Sequence, residues 1–275
     1  MGNTTTTTLG DAEVSVLTDG VSTFGPEMFP GTEAAHIDDV LKANRETDIR
    51  TNFNANLIRT GGKIVLVDAG AGSLFGPACG HLPEALAELG VTPEQIDILY
   101  ATHLHPDHIA GAVTGDGKAV FANAELVVQK ADADFWRNEI PGAPEMILNW
   151  QALAQTVLKA YGDRLRLIEG EADIAPGLHS LPLPGHTPGH AGYRLASGRD
   201  QLVHVGDIVH APYVQISDPE IAIVFDIDPD TARAARKRLL DQLAGDGALI
   251  TGGHLLAPAF YRVERNGRGY RLADG

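Results

Sequence analysis

The sequence predicts an α+β protein in which two β-sheets pack face to face with helices on their outer sides. Two observations carry that expectation. Short apolar segments alternate with helical stretches twice along the 275 residues, giving two halves of similar make-up. No linker, composition shift or Pro/Ser-rich run separates the halves, so one domain is expected over 1–275, and stacking the two sets of strands would bury both.

Taken in order, the threonine run Thr4 to Thr8 reads as low complexity, and residues 1–10 are expected to form a disordered tail. Residues 14–17 make a first strand, ended by the Thr18-Asp19-Gly20 turn. Residues 56–58 and 64–67 flank Gly61-Gly62, the pattern of a hairpin. A helix over 83–89 closes at Gly90, and Thr92, Pro93 and Gln95 then supply an N-cap, a first-turn proline and a capping-box partner. Residues 98–101 are a near-continuous apolar run, as a buried strand requires. Pro144 opens an amphipathic helix that runs to Tyr161 and stops at Gly162. Strands follow at 165–168, 178–183, 191–195, 201–205 and 221–225. Asp228-Pro229 starts a helix through Leu239, Leu240 and Leu243 that ends at Gly245. A strand at 248–251 and a hairpin over 260–272 around Asn266-Gly267 complete the chain.

Composition narrows the function. A formal charge of −15 repels phosphate backbones, which argues against nucleic acid and anionic membranes as partners. No segment approaches the roughly 20 apolar residues of a membrane span, and no basic region precedes an apolar run at the start, so a cytoplasmic location is the expectation. Cys79 is the single cysteine, which rules out an intrachain disulfide and a Cys-rich zinc site. Any metal must be held by histidine and carboxylate.

The strongest chemical signal is Thr102-His103-Leu104-His105-Pro106-Asp107-His108, directly after the 98–101 strand. Residues two apart on extended chain point the same way, so His103 and His105 can reach one cation. Pro106 disfavours helix at His105 while Asp107 can begin one, and the change of direction aims Asp107 and His108 at a neighbouring point. Burying so many ionisable groups together without a cation would be costly. Three later segments pair a strand end with glycine and a donor: Gly185-His186, Gly206-Asp207 and Gly252-Gly253-His254. Together they offer a third donor for each cation and a carboxylate to bridge them.

This order and spacing, with Asp68 before the motif, resembles the metallo-β-lactamase superfamily over about residues 14 to 254. The stretches at 67–77, 206–210, 215–219 and 225–229 are similar to the methyl parathion hydrolase branch. The resemblance implies an αββα sandwich with the site at one edge of the sheets. It implies one metal on His103, His105 and His186, and another on Asp107, His108 and His254, with Asp207 bridging. Asp68 would hold the donor loop by hydrogen bonds, His190 would be structural, and a homodimer follows by family analogy. His36, His81, His179 and His204 are read as ordinary packing or surface residues.

Nitrogen and carboxylate donors suit two Zn²⁺ ions first, with Mn²⁺, Fe²⁺ and Co²⁺ also possible. The expected reaction is hydrolysis of a lactone, aryl ester or organophosphate triester by a metal-bridging hydroxide, with no covalent enzyme intermediate. Asp107 and Asp207 are the expected catalytic carboxylates, and Asp107 is also a candidate proton carrier. Phe135, Trp136 and His210 are candidate pocket residues for a small hydrophobic ester or lactone, with core packing as the plain alternative for the two aromatics. Lactonases of the superfamily often have tyrosine at the place of His210. Five readings compete with this one. A true β-lactamase generally lacks a residue bridging like Asp207, glyoxalase II-type thioester hydrolysis would call for a basic glutathione-binding segment, and an RNA-processing nuclease would need an extra domain and a basic surface. Flavodiiron-type redox chemistry would need a flavodoxin partner domain, and a non-catalytic metal scaffold would turn over nothing.

Overall fold

The computed structural model describes residues 3–275 and contains two seven-stranded sheets. The first runs β1 (Thr4–Leu9), β2 (Ala12–Phe24), β3 (Ile49–Thr60), β4 (Lys63–Val67), β5 (Ile98–Tyr100), β6 (Glu125–Gln129) and β7 (Leu165–Ile168), side by side in chain order. The second holds β8 (Asp173–Ala175), β9 (Leu178–Pro182), β10 (Ala191–Ser197), β11 (Asp200–His204), β12 (Leu249–Thr251), β13 (Tyr261–Asn266) and β14 (Gly269–Asp274), again in order. Hairpins make most neighbours antiparallel, whereas β4 to β7 and the β11–β12 pair are parallel. Parallel joins need crossovers. They are supplied by α2 (Leu82–Glu88), α3 (Pro106–Ile109), α4 (Lys130–Arg137), α5 (Glu145–Tyr161), α6 (Pro212–Gln215) and α7 (Pro229–Asp246), while α1 (Ala34–Ala43) lies in the β2–β3 connection.

Alternation within the central strands explains their unbroken apolar runs. Val65 and Val67 of β4 join the core shared with Leu195 and Leu202 of the second sheet, while Leu66 between them packs outward with Leu86, Val157 and Trp136. A third cluster, Phe29, Ile37, Leu41, Val214, Ile221 and Ile223, lies under α1 and α6. The two-sheet, helix-flanked arrangement expected from the sequence is therefore the observed one. Among the described residues, no helix is long and apolar enough to cross a membrane.

Two expectations need correction. The threonine tail is a strand: Thr4 to Leu9 pair with Leu17 to Ala12, and Thr6 and Ser15 hydroxyls meet at 2.7 Å. β-Branched threonines favour extended chain, and the exposed edge of β2 supplies the partner that a low-complexity reading ignores. Residues 1 and 2 of that expected tail lie outside the described residues. Residues 221–225 are apolar but form no strand. Their polar groups are taken up by the loop around them, with Val224 N–H donating to Met28 O and the Ile221 carbonyl accepting from Gln215 and Arg236. The last long helix also runs one turn-end further, to a left-handed Gly247 rather than Gly245. The sequence reading passed over β6, β8 and α1.

Candidate metal centre

Asp68 follows β4, His103 follows β5, His186 lies beyond β9, Asp207 beyond β11 and His254 beyond β12. These strand ends converge, and their side chains meet in one buried cluster. Its central segment is tied down at both backbone and side chain. Thr102 N–H and Oγ1–H both donate to the Asp68 carboxylate, at 2.8 and 2.9 Å. Leu104 N–H donates to Asp132 at 2.7 Å, and Ala191 N–H donates to Thr102 O at 3.0 Å, joining the two sheets. His105 is extended and caps α3, whose first residues are Pro106 and Asp107. Asp68 itself has φ 62°, a left-handed conformation that Asp tolerates better than most residues.

Two donor sets form. Donor atoms of His103, His105 and His186 lie within 4.8 Å of one another, and so do those of Asp107, His108, Asp207 and His254. Asp207 joins the sets. Its Oδ2 is 2.9 Å from His254 Nε2, 3.1 Å from His108 Nε2, 3.5 Å from His186 Nε2 and 3.8 Å from His103 Nε2. Asp107 Oδ2 is 3.3 Å from His108 Nε2 and 3.6 Å from His254 Nε2.

The outer ring nitrogens are held, which sets the tautomers. His108 Nδ1–H donates to Asp68 at 2.8 Å, His254 Nδ1–H to Asn52 O at 2.8 Å and His186 Nδ1–H to Asp226 at 2.9 Å. Each points Nε2 inward: on His186, which burial keeps neutral, that atom is a lone pair, whereas on His108 and His254 a cation would take the place of the second proton that the nearby carboxylates favour. His190 is oriented differently. Its Nδ1–H donates to Leu183 O at 2.7 Å, and its Nε2 accepts Asp207 N–H at 2.8 Å, so both nitrogens serve the backbone. Gly206, at φ 54°, allows this approach, since a Cβ there would stand 2.3 Å from His190 Nε2.

The cluster suits divalent cations on three observations. Among the described residues, His103 Nε2, His105 Nε2 and Asp207 Oδ1 are buried without a hydrogen-bond partner. His105 Nδ1 and His186 Nε2 lie 2.9 Å apart, although the second must be a bare lone pair because Nδ1 of that ring donates to Asp226. Such a contact needs a proton or a cation between the atoms. Burial and neighbouring histidines hold His103, His105 and His186 far below the usual imidazole range, so they are neutral donors. Against the cost of burial, Asp207, Asp107 and Asp68 raise His108, a sign of the negative potential these carboxylates create. Burial also works against ionised Asp107 and Asp207, yet His108 and His254 keep both below the usual carboxylate range.

The cluster floors a cavity of about 470 Å³ lined by Phe24, Phe53, Phe75, Met146, Trp150 and Phe225 and by His105, Asp107, His210 and His254. No lysine or arginine is among its lining residues. Phe53 stacks on Phe75 at 5.8 Å and meets the His254 ring edge-on at 5.5 Å. His210 Nε2 lies 3.3 Å from Asp207 Oδ2, and the residue lines the cavity. Cys79 sits in the wall, its thiol pushed up to about 11 by burial and by Asp19 and Asp107. Phe135 and Trp136 do not line the cavity, which corrects the sequence reading. Trp136 is fully buried in the core beneath the first sheet and touches the site only through an edge contact of 5.6 Å with His105, while Phe135 packs against that same core. Their place belongs to Trp150 on α5, whose ring is 4.8 Å from His105. His36, His81 and His179 are exposed, and His204 stacks on Tyr193 away from the cavity.

The sequence reading also missed Asp226 and Asp132 as supports. In the sequence, the 225–229 turn is only a stretch of resemblance, with no role read for the Asp226 carboxylate. Asp132, buried on α4, is pushed up to about 6 by burial despite accepting Leu104 N–H.

A model of the metallo-beta-lactamase superfamily matches residues 51–254. The N-acyl homoserine lactonase of Bacillus cereus is 25% identical over 171 residues, which is 62% of this chain and 60% of that protein. The match thus spans less than two thirds of that relative's length. Two solved structures cover nearly everything. AidC, a dizinc quorum-quenching lactonase solved with a product bound, is 28% identical with a TM-score of 0.93, covering 99% of this chain and 97% of its own. The hydrolase AbOPH is 30% identical with a TM-score of 0.89, covering 100% and 98%.

Proposed function

Because the chain belongs to the metallo-beta-lactamase superfamily, we propose that it is a hydrolase holding two divalent cations and opening the ring of a hydrophobic, uncharged lactone. The observation that carries this reading is the pair of buried donor sets joined by Asp207 at the floor of an apolar cavity. In it, His103, His105 and His186 would hold one cation and Asp107, His108 and His254 the other, with Asp207 available to both. Bound there, the cations, zinc in first place, would supply Lewis acidity that lowers the pKa of water and polarises the scissile carbonyl.

The chain's own groups do the rest. The Asp107 side chain is partly open to the cavity and, in this reading, its carboxylate accepts the proton that water gives up and passes it to the leaving oxygen. His210, whose Nδ1 has no partner among the described residues, orients the substrate from the side wall. Phe24, Phe225 and Trp150 exclude water around an acyl chain. Walls that are mostly apolar and carry no lysine or arginine fit a neutral ester better than a polyanion, which weighs against β-lactam carboxylates and glutathione thioesters. The lactonase relatives favour lactones, and aryl esters or organophosphate triesters are further neutral substrates for the same cavity.

The test is a panel of N-acyl lactones, aryl esters and methyl parathion with zinc-loaded wild type and Asp207→Ala. Lactone turnover that disappears in the variant, together with loss of bound zinc, is the expected result. Inactivity of the zinc-loaded wild type on the whole panel would overturn the proposal.

A further inference from the structure

We infer that Asp226 is a positioning residue for the His103–His105–His186 cation, doing for that set what Asp68 does for its neighbour. The inference rests on the paired-cation reading above and goes beyond it by naming a residue outside the donor motifs. Asp226 Oδ1 accepts the His186 Nδ1–H at 2.9 Å, with both side chains buried. The ring is thereby fixed with Nε2 toward Asp207 and His105. Among the described residues, neither of the other rings in this set has a carboxylate behind it: His103 Nδ1 meets the Thr102 hydroxyl, and His105 Nδ1 faces His186. A carboxylate behind a donor imidazole orients it and raises its basicity.

The turn that carries Asp226 is built for this. Ile227 N–H donates to His186 O at 3.0 Å and Asp228 N–H to Gly185 O at 2.9 Å, so two main-chain bonds hold the carboxylate against the ring. Behind it stands Arg236 of α7, fully buried, with Nη2 3.8 Å from Asp226 Oδ2. The same guanidinium donates to the carbonyls of Ile208, Pro219 and Ile221. One buried cation therefore neutralises the carboxylate behind His186 and clamps the residue next to Asp207. Through it, His186 and Asp207, whose donor atoms lie 3.5 Å apart, are both tied to α7.

The experiment is chelator competition on the zinc-loaded protein, with Co²⁺ absorption as a second readout, for wild type, Asp226→Ala and Asp226→Asn. Wild type should hold two equivalents. Asp226→Ala should weaken one of them by about 10–100-fold and leave the other within about threefold. Asp226→Asn, which keeps shape and an accepting oxygen, should fall between. A purely structural role would lower the melting temperature in both variants and leave the ratio of the two affinities unchanged, and that result would overturn the inference. Should Asp226→Ala fail to fold, wild-type affinities at both sites in Asp226→Asn would overturn it equally. Fewer than two equivalents in wild type would overturn both this inference and the reading beneath it.

Discussion

His190→Ala separates an anchor from a cation donor inside one motif. His103, His190 and Asp207 also present donor atoms within 4.8 Å, so distance alone would admit His190 as a ligand. Its hydrogen bonds argue otherwise, and they set the magnitude. Alanine leaves the Leu183 carbonyl and the Asp207 N–H without their partners at a site where the ring is buried. Each buried group left unpaired costs about 1–3 kcal/mol, and the cavity left by the ring adds a further cost that entering water offsets in part. A net loss of about 3–5 kcal/mol is expected, a large share of the roughly 5–15 kcal/mol available to a folded domain. At about 2–4 °C per kcal/mol for a chain near this size, the melting temperature should drop by roughly 6–20 °C. The assay is thermal unfolding of the metal-free protein, paired with zinc titration. His190→Gln, whose amide oxygen can still accept Asp207 N–H, should recover part of the loss. A drop of less than about 1 kcal/mol combined with loss of one zinc equivalent would refute the reasoning and make His190 a donor.

Three further expectations follow from the same geometry. Asp68→Ala removes the acceptor for His108 Nδ1 and for Thr102, so cation affinity should fall about 10–100-fold in chelator competition; an unchanged affinity would contradict its supporting role. Trp136→Ala should cost about 3–5 kcal/mol of stability with little change in the rank order of substrates, because the ring fills the core and not the cavity. Phe225→Ala should do the reverse: KM for long acyl chains should rise by about tenfold with kcat nearly kept, since it removes apolar wall away from the donors, and an equal loss in kcat would show that the wall positions the reacting atoms.

The donor segments were readable because their chemistry is local. His103, His105, Asp107 and His108 come from one strand-to-helix junction, and Gly206-Asp207 or Gly253-His254 each needs only a strand end and a glycine. The cavity wall was not readable in the same way. Trp136 and Trp150 lie on successive helices, and only the way α4 and α5 pack decides which ring is buried in the core and which also lines the cavity. The threonine run was misread for a related reason, since a strand at a sheet edge is made by its partner as much as by its own residues.

By itself, then, the sequence determined the two-layer α+β architecture and the identity and order of the candidate donors, because strand periodicity and short-range donor spacing are properties of contiguous residues. Only the tertiary structure decided which aromatics enclose the cavity and which carboxylates stand behind the histidines. Asp226 reaches His186 across 40 residues and Asp68 reaches His108 across another 40, and contacts closed over such distances are set by how sheets and helices pack, which local sequence does not encode.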